Sequence, residues 1–258
     1  MASVFIINQF TDIQSDQKNN KLFLLADGMV SRKTAISVTT VCILLAFFFA
    51  VQKDIHLVML CFALFLVTGI GYSLPPFLWK DRPIAGLLVN LIGGLLTFMI
   101  GWQITAMLTL ETIINAVPYM FAIGAVYLLT TMPDKIGDQH VGKITFAVKF
   151  DLRTTILTAL LLEIACLILA ILFMDFLILF PALAVLPFFV KLLFKDDLSS
   201  IIQATRFAIL FLSLAVVLLF PAYAVLMLGI FFLSKWYYRN RFQLNYPNFS
   251  HISEVLND

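Results

Sequence analysis

Blocks of about twenty mostly apolar residues recur along the chain, near positions 34–52, 55–73, 84–105, 113–133, 154–173, 176–194, 199–220 and 222–238. A hydrocarbon core about 30 Å thick needs roughly 20 such residues per crossing helix. The series therefore predicts eight membrane-spanning helices and an all-α, multi-pass transmembrane bundle. Composition agrees: 62% of the residues are hydrophobic and 12% are charged, against about 25% charged in ordinary soluble domains. A disordered chain, a fibrous fold and a secreted disulfide scaffold are excluded. Cys42, Cys61 and Cys166 each sit inside an apolar block, with neither metal-ligand spacing nor a disulfide framework. The net charge of +2 is scattered between blocks, so no nucleic-acid partner is expected. At Phe220-Pro221 the last two blocks meet with almost no polar turn. A single helix there would run about 57 Å, too long for one crossing, so a tight hairpin is expected.

Numbering the loops alternately tests this layout. Of the 17 lysines and arginines, all but Lys53 fall on one side. Cytoplasmic loops carry the excess of Lys and Arg, so that side is read as cytoplasmic and the membrane as the cell inner membrane. The long polar connections 8–33, 73–83, 133–153 and 195–200 lie on it, whereas the opposite side has only short turns at 52–54, around Glu111 and at Asp175. The reading is one domain over 1–258 with a polar cytoplasmic tail at 239–258. Residues 2–7 are too few for a signal peptide. They read as the last turns of a helix whose beginning lies upstream, which predicts about 50–70 further apolar-rich residues before Met1.

Two of the cytoplasmic segments open with the same acidic spacing. One carries Asn8, Asp12 and Asp16; the other carries Asp134 and Asp138. Residues four apart share a helix face, so each set stacks its oxygens on one line. Like charges at that spacing repel until a divalent cation sits between them. Magnesium suits the pattern, because it takes oxygen ligands and commonly bridges one or two carboxylates to substrate phosphates. Lys21, Lys80 and Lys143 stand at short distances in sequence from these acids, and ammonium groups are good point-charge partners for phosphate oxygens. Solvated acids and positive-inside anchors are the plainer reading, and it does not account for those spacings. Pro75-Pro76 breaks the helix after Tyr72. Within the apolar blocks the polar inventory is thin: Asn90, Gln103, Asn115, Tyr119, Tyr127 and Glu163. Glu163 reads equally as a protonated acid bonded within the bundle or as a group facing substrate. His56, His140 and His251 form no ligand spacing.

These motifs, in this order, resemble the UbiA superfamily of intramembrane prenyltransferases. Asn8, Gln9, Asp12 and Asp16 stand where the family's first signature reads N-D-x-x-D-x-x-x-D. Tyr72-Ser73-Leu74-Pro75-Pro76 with Lys80 is similar to its Y-S-x-P-P loop. Asp134, Gly137, Asp138, Gly142, Lys143 and Thr145 are similar to its second signature, D-x-x-G-D followed by G-K-x-T. Gln9 replaces a common acid, Gln139 a common base, and the arginine usual after the first signature is missing. The family is described with nine helices, one complete helix and most of another preceding the first signature.

The resemblance implies a prenyltransferase with Mg2+ as cofactor and two substrates, a prenyl diphosphate donor and a lipophilic, commonly aromatic acceptor, as in quinone biosynthesis. Asn8, Asp12, Asp16, Asp134 and Asp138 would hold the metal, the four aspartates being the catalytic set. Tyr72, Lys80, Lys143 and Lys21 would bind the diphosphate. An impaired relative with an incomplete amino terminus, or a membrane transporter, are the competing expectations.

Overall fold

A computed structural model describes residues 1–18, 25 and 28–246. Helix α1 (Ala2–Lys18) carries the first acidic motif on its own length, so positions 8–18 are helix rather than loop. Helix α2 (Arg32–Lys53) starts at Ser31, whose hydroxyl accepts from the Thr34 amide at 3.1 Å. That contact satisfies one of the unpaired donors of a helix start. Asp54 alone separates α2 from α3 (Ile55–Leu64): its N–H donates to the Ala50 carbonyl and its carboxylate accepts from the Leu57 amide. α3 widens into a π-helical stretch over Phe65–Gly71, a form often found at functional sites. A strap then leads through a 3-10 turn at Trp79–Asp81 into α4 (Pro83–Thr105), which has proline in its first turn.

α5 (Leu110–Thr131) opens with a reciprocal cap between Thr109 and Thr112. The short helices α6 (Lys135–His140) and α7 (Phe146–Lys149) cross to α8 (Leu152–Leu172), α9 (Phe176–Lys191), α10 (Leu198–Leu219) and α11 (Pro221–Phe242). No strand occurs among the described residues. The most extensive interfaces are α5 with α8 and α5 with α4. Small residues allow them: Ala116 and Ala125 are fully buried, and a Cβ on Gly124 would lie 2.7 Å from Leu91. Without a hydrophobic force between helices in lipid, close backbone approach and van der Waals packing hold such bundles together. Leu128, Leu129, Ala159, Phe189 and Leu192 fill the centre.

Outward faces are apolar. Phe49 on α2 and Leu161 on α8 are both 65% exposed, and α11 has no buried residue. Exposed apolar surface on that scale suits a lipid solvent.

Among the described residues five helices are long and apolar enough to cross a membrane: α2, α4, α5, α8 and α10. The chain is a multi-pass membrane protein, with fewer full-length spans than the eight expected from sequence. Two expected spans fall on shorter apolar helices, Ile55–Gly71 and Phe176–Lys191, the latter carrying Pro181 and Pro187. The eighth, α11, is 22 residues long but ends in basic and aromatic residues, which lower its hydropathy. The break at Phe220 is present, yet α10 and α11 touch far less than the full-length neighbours do, so the tight hairpin is not formed. The expected tail also starts later, because α11 runs on to Phe242; residues 247–258 lie outside the described residues.

Candidate active site

The two acidic motifs lie far apart in sequence and meet because α6 packs on α1. A cavity of about 440 Å³ opens between α1, the π-helical stretch, α4, α5 and α6. Its lining includes Asn8, Asp12, Asp16, Tyr72, Lys80, Asp134, Asp138 and Lys143. Every residue expected to hold the metal or the diphosphate thus lines one cavity, except Lys21, which lies outside the described residues. Away from the acids the wall is apolar and small, with Val4, Phe5, Val89, Gly93, Gly94 and Ile123. Glu163 is buried and does not line this cavity.

Lys80 reaches the acids because of how the strap is pinned. Leu78 takes a left-handed conformation, φ 42° and ψ 49°, and Trp79 folds back under Gly71. A Cβ on Gly71 would come within 2.6 Å of the ring carbon Cε3 and closer still to Cζ3. Only glycine leaves room for that indole. The adjacent Lys80 is then driven inward, to 5% exposure. Its ammonium donates to Asn8 Oδ1 (3.0 Å), Thr11 Oγ1 (2.6 Å) and Asp12 Oδ1 (2.5 Å). Asn8 Oδ1 also accepts from the Ser73 hydroxyl at 3.2 Å.

Lys143 is delivered by the turn after α6. Gly142 adopts φ +77°, where a side chain would be strained, and the Lys143 amide donates to the Asp138 carbonyl at 2.9 Å. Phe146 and Ala147, both buried, anchor the far side of the turn. The Lys143 ammonium meets Asp12 Oδ1 and donates to Ser15 Oγ at 2.8 Å. Asp12 therefore sits between two ammonium groups. Tyr72, by contrast, lies against Asn90 and Tyr127 and not against the lysines.

Burial disfavours the Asp12 carboxylate, but Lys80 and Lys143 outweigh burial and hold its carboxyl below the usual range. Lys143 is buried too, yet Asp12 keeps its ammonium above the ordinary lysine value. Lys80 goes the other way: burial lowers it, Asp12 opposes that, and repulsion from Lys143 adds to the lowering. Asp138 is pushed up to about 6, chiefly by burial, with repulsion from Asp134 countering the attraction of Lys143. Burial raises Asp81 as well, and its Oδ1 is buried without a hydrogen-bond partner.

The lining holds five carboxylates (Asp12, Asp16, Asp81, Asp134, Asp138) against two ammonium groups, a formal charge of −3. Among the described residues no three acidic, histidine or cysteine groups converge tightly enough to hold a metal as they stand. The set is nevertheless one a hard divalent cation fits. Its donors are all oxygen, it carries more negative charge than its burial tolerates, and Oδ1 of Asp81 is buried without a hydrogen-bond partner.

Sequence reasoning missed Thr11 and Ser15, which bond the two lysines, and Trp79, which positions one of them. Thr11 and Ser15 lie three residues after Asn8 and Asp12 and so share their helix face, a signal available in the sequence. Nothing in the sequence alone marks the seating of Trp79 against Gly71.

Relatives were compared on both sequence and fold. A 2-acyl-4-prenylphloroglucinol 6-prenyltransferase of Humulus lupulus chloroplasts is 32% identical over 161 residues, 58% of this chain. The chain spans 39% of the length of that relative. A UbiA homolog from Archaeoglobus fulgidus, in structures bound to GPP and Mg2+ or to DMAPP and Mg2+, superposes with TM-scores of 0.61 and 0.60. Each superposition covers 83% of this chain and 81% of that one, at 18% identity. A digeranylgeranylglyceryl phosphate synthase superposes at 0.57 with 15% identity, over 83% of this chain and 77% of the other. Those likenesses show a shared fold. The profile of the UbiA prenyltransferase family matches residues 1–200, and with that extent of match the chain belongs to the UbiA prenyltransferase family.

Proposed function

We propose that this protein transfers a prenyl group from a prenyl diphosphate to a lipophilic aromatic acceptor, with Mg2+ as cofactor. One observation carries the reading: acids and lysines crowd one end of a cavity whose other end is apolar, inside a membrane bundle. A prenyl diphosphate has the same division, an anionic head on a hydrocarbon chain. Family membership supports the reaction class. The plant relative is named for prenylating a phloroglucinol, and the archaeal homolog holds GPP or DMAPP with Mg2+.

Asp12, Asp16, Asp134 and Asp138, with Asn8, would hold the metal, which supplies positive charge against the diphosphate and its leaving oxygen. Lys80 and Lys143, already at the cavity wall, bind the remaining phosphate oxygens. As the bond from allylic carbon to oxygen breaks, its electron pair leaves with the diphosphate, and these preset cations stabilise the growing charge. The apolar wall of Val89, Gly93 and Ile123 keeps water from the allylic cation. The acceptor ring carbon supplies the electron pair of the new carbon–carbon bond, and the ring proton passes to the released diphosphate. No protein nucleophile is required.

The chain works as a single unit over 1–258, and the acidic end faces the cytoplasm across the inner membrane, as the distribution of lysine and arginine supports. Lys21 joins the diphosphate ligands in this reading. Mass spectrometry of lipid extracts from membranes given DMAPP or GPP and a panel of phenolic acceptors tests the proposal. A prenylated product that vanishes in Asp12→Asn is the expected result. Accumulation of acceptor inside vesicles without any prenylated product would overturn it in favour of transport.

A further inference from the structure

Resting on the prenyl-transfer reading, we propose that the acceptor is a neutral phenol held by Tyr72, Asn90 and Tyr127, and that ring acceptors bearing a carboxylate or phosphate are excluded by charge.

The three side chains come from three elements and form one patch. Tyr72 ends the π-helical stretch, Asn90 lies on α4 and Tyr127 on α5, and all three line the cavity. The patch is locked from behind. The Asn90 amide donates to the Gly86 carbonyl at 2.8 Å. The Tyr127 hydroxyl is seated so closely on Gly86 that any Cβ there would collide with it. Asn90 and Tyr127 are polar neighbours of Tyr72 in this wall. A phenol hydroxyl has one proton to give and two lone pairs to receive. A ligand hydroxyl seated among these three side chains meets hydroxyl and amide groups that can each donate or accept.

The location suits an acceptor. Asn90 is one helical turn beyond Gly86, whose neighbours include the backbone of Trp79 and Lys80, and Tyr127 is one turn in from Thr131. The patch therefore sits just below the acids, at the level where the head of the donor gives way to its chain. A ring carbon must come within about 3–3.5 Å of the allylic carbon to react, and a ring whose hydroxyl is bound at this patch lies at that level.

Charge selects among rings. Among the described residues no arginine lines the cavity, and the two lysines that do are both engaged by Asp12. The formal charge of the wall is negative, and the donor brings a diphosphate to the same end. Among the described residues no further cationic side chain lines the wall to pair with an anionic acceptor group. One uncompensated unit charge about 8 Å away, at an effective dielectric of about 20, costs roughly thirtyfold in affinity.

The test uses a matched pair that differs by one ester methyl and one charge, methyl 4-hydroxybenzoate and 4-hydroxybenzoate, titrated calorimetrically at pH 7 into the purified full chain in nanodiscs with Mg2+ and inorganic diphosphate. The ester should bind at least thirtyfold more tightly than the carboxylate. Tyr127→Phe and Tyr72→Phe should each weaken the ester by roughly three- to tenfold, the worth of a neutral hydrogen bond, more than they weaken inorganic diphosphate. Equal or tighter binding of the carboxylate, undetectable ester at millimolar concentration, or ester affinity unmoved in both variants would overturn the proposal. Diphosphate release from DMAPP, followed in parallel, addresses the reaction itself. If no release occurs under any condition the prenyl-transfer reading falls, while the titration still decides what the patch binds.

Discussion

Gly71→Ala is the most revealing single change, because it touches neither acid nor lysine. The new Cβ would lie 2.6 Å from Trp79 Cε3 and nearer to Cζ3, where apolar carbons rest at about 3.5–4.0 Å. The indole must retreat by about 1 Å or more. Overpacking of this kind costs about 1–3 kcal/mol. Lys80 is the next residue, and its three bonds at 3.0, 2.6 and 2.5 Å leave no slack for the shift. Losing the equivalent of one charge-assisted bond costs about 1.5–3 kcal/mol, or roughly ten- to a hundredfold in affinity for the diphosphate end of the donor. DMAPP binding in Mg2+ should fall by that factor, and Trp79→Phe should fall less. In a Lys80→Ala background the Gly71→Ala effect on DMAPP should largely vanish, since residues acting through one contact are non-additive. Unchanged affinity in Gly71→Ala, or full additivity with Lys80→Ala, would show that Trp79 does not set the position of Lys80.

Asp12→Asn leaves two buried ammonium groups without their carboxylate, an arrangement worth about 3–5 kcal/mol when one partner is removed; both thermal stability and turnover should drop, and a wild-type melting curve would contradict the ion-pair geometry. Asp134→Asn should abolish turnover while the protein still accumulates in membranes, and chelating divalent ions should mimic it; metal-independent turnover would sink the ligand assignment. In the chelated protein, stability should rise as pH falls from 7.5 to 5. The Asp138 carboxyl sits at about 6 when folded against 3.8 ordinarily, so its ionised form disfavours the fold above pH 6 by at most about 3 kcal/mol. That cost is relieved on protonation, whereas the stabilising ionisation of Asp12 is lost only below the ordinary carboxylate range; a melting temperature falling steadily over this interval would refute the assignment. Tyr119→Phe removes the 2.8 Å bond from its hydroxyl to Asp175 and should cost about 1–2 kcal/mol in unfolding experiments.

What the sequence could say depended on how local the signal was. Apolar blocks of bilayer length are local, and α2, α4, α5, α8 and α10 fall on them. The four-residue spacing of Asn8, Asp12 and Asp16 is local as well, and it survives as one helix face of α1. The meeting of α1 with α6 across more than a hundred residues was legible only through the family's motif order. The partners of Asp12 were not legible: acids spaced for metal also attract lysines, and which wins is decided by the burial of Lys80 and Lys143. Trp79 in its glycine notch and the Tyr72–Asn90–Tyr127 patch are contacts between elements, with no spacing rule to reveal them. Helix lengths near the carboxyl end were misjudged for a simpler reason. α9 stays helical through Pro181 and Pro187 but ends at Lys191, short of its apolar block, and the basic and aromatic end of α11 lowers its hydropathy.

The two ends of the bundle are fastened by different means. At the end remote from the acids, Asp54 closes α2, opens α3 and accepts from Gln103 of α4 at 3.1 Å. Asp175 follows α8, caps α9 at Leu177 and accepts from Tyr119 of α5. These are rivets, each made of backbone and short side chains that no ligand competes for. At the other end α1, the strap and the Lys143 turn are latched mainly by two long lysine side chains that share Asp12, which an incoming anion can draw away. Motion is thereby assigned in advance: the riveted turns hold register while the latched end loosens and closes around its load. Amide exchange should grade along the bundle accordingly, slow at Leu57, Thr112 and Leu179 and quickest at Lys80 and Lys143, and only the quick end should respond to a diphosphate.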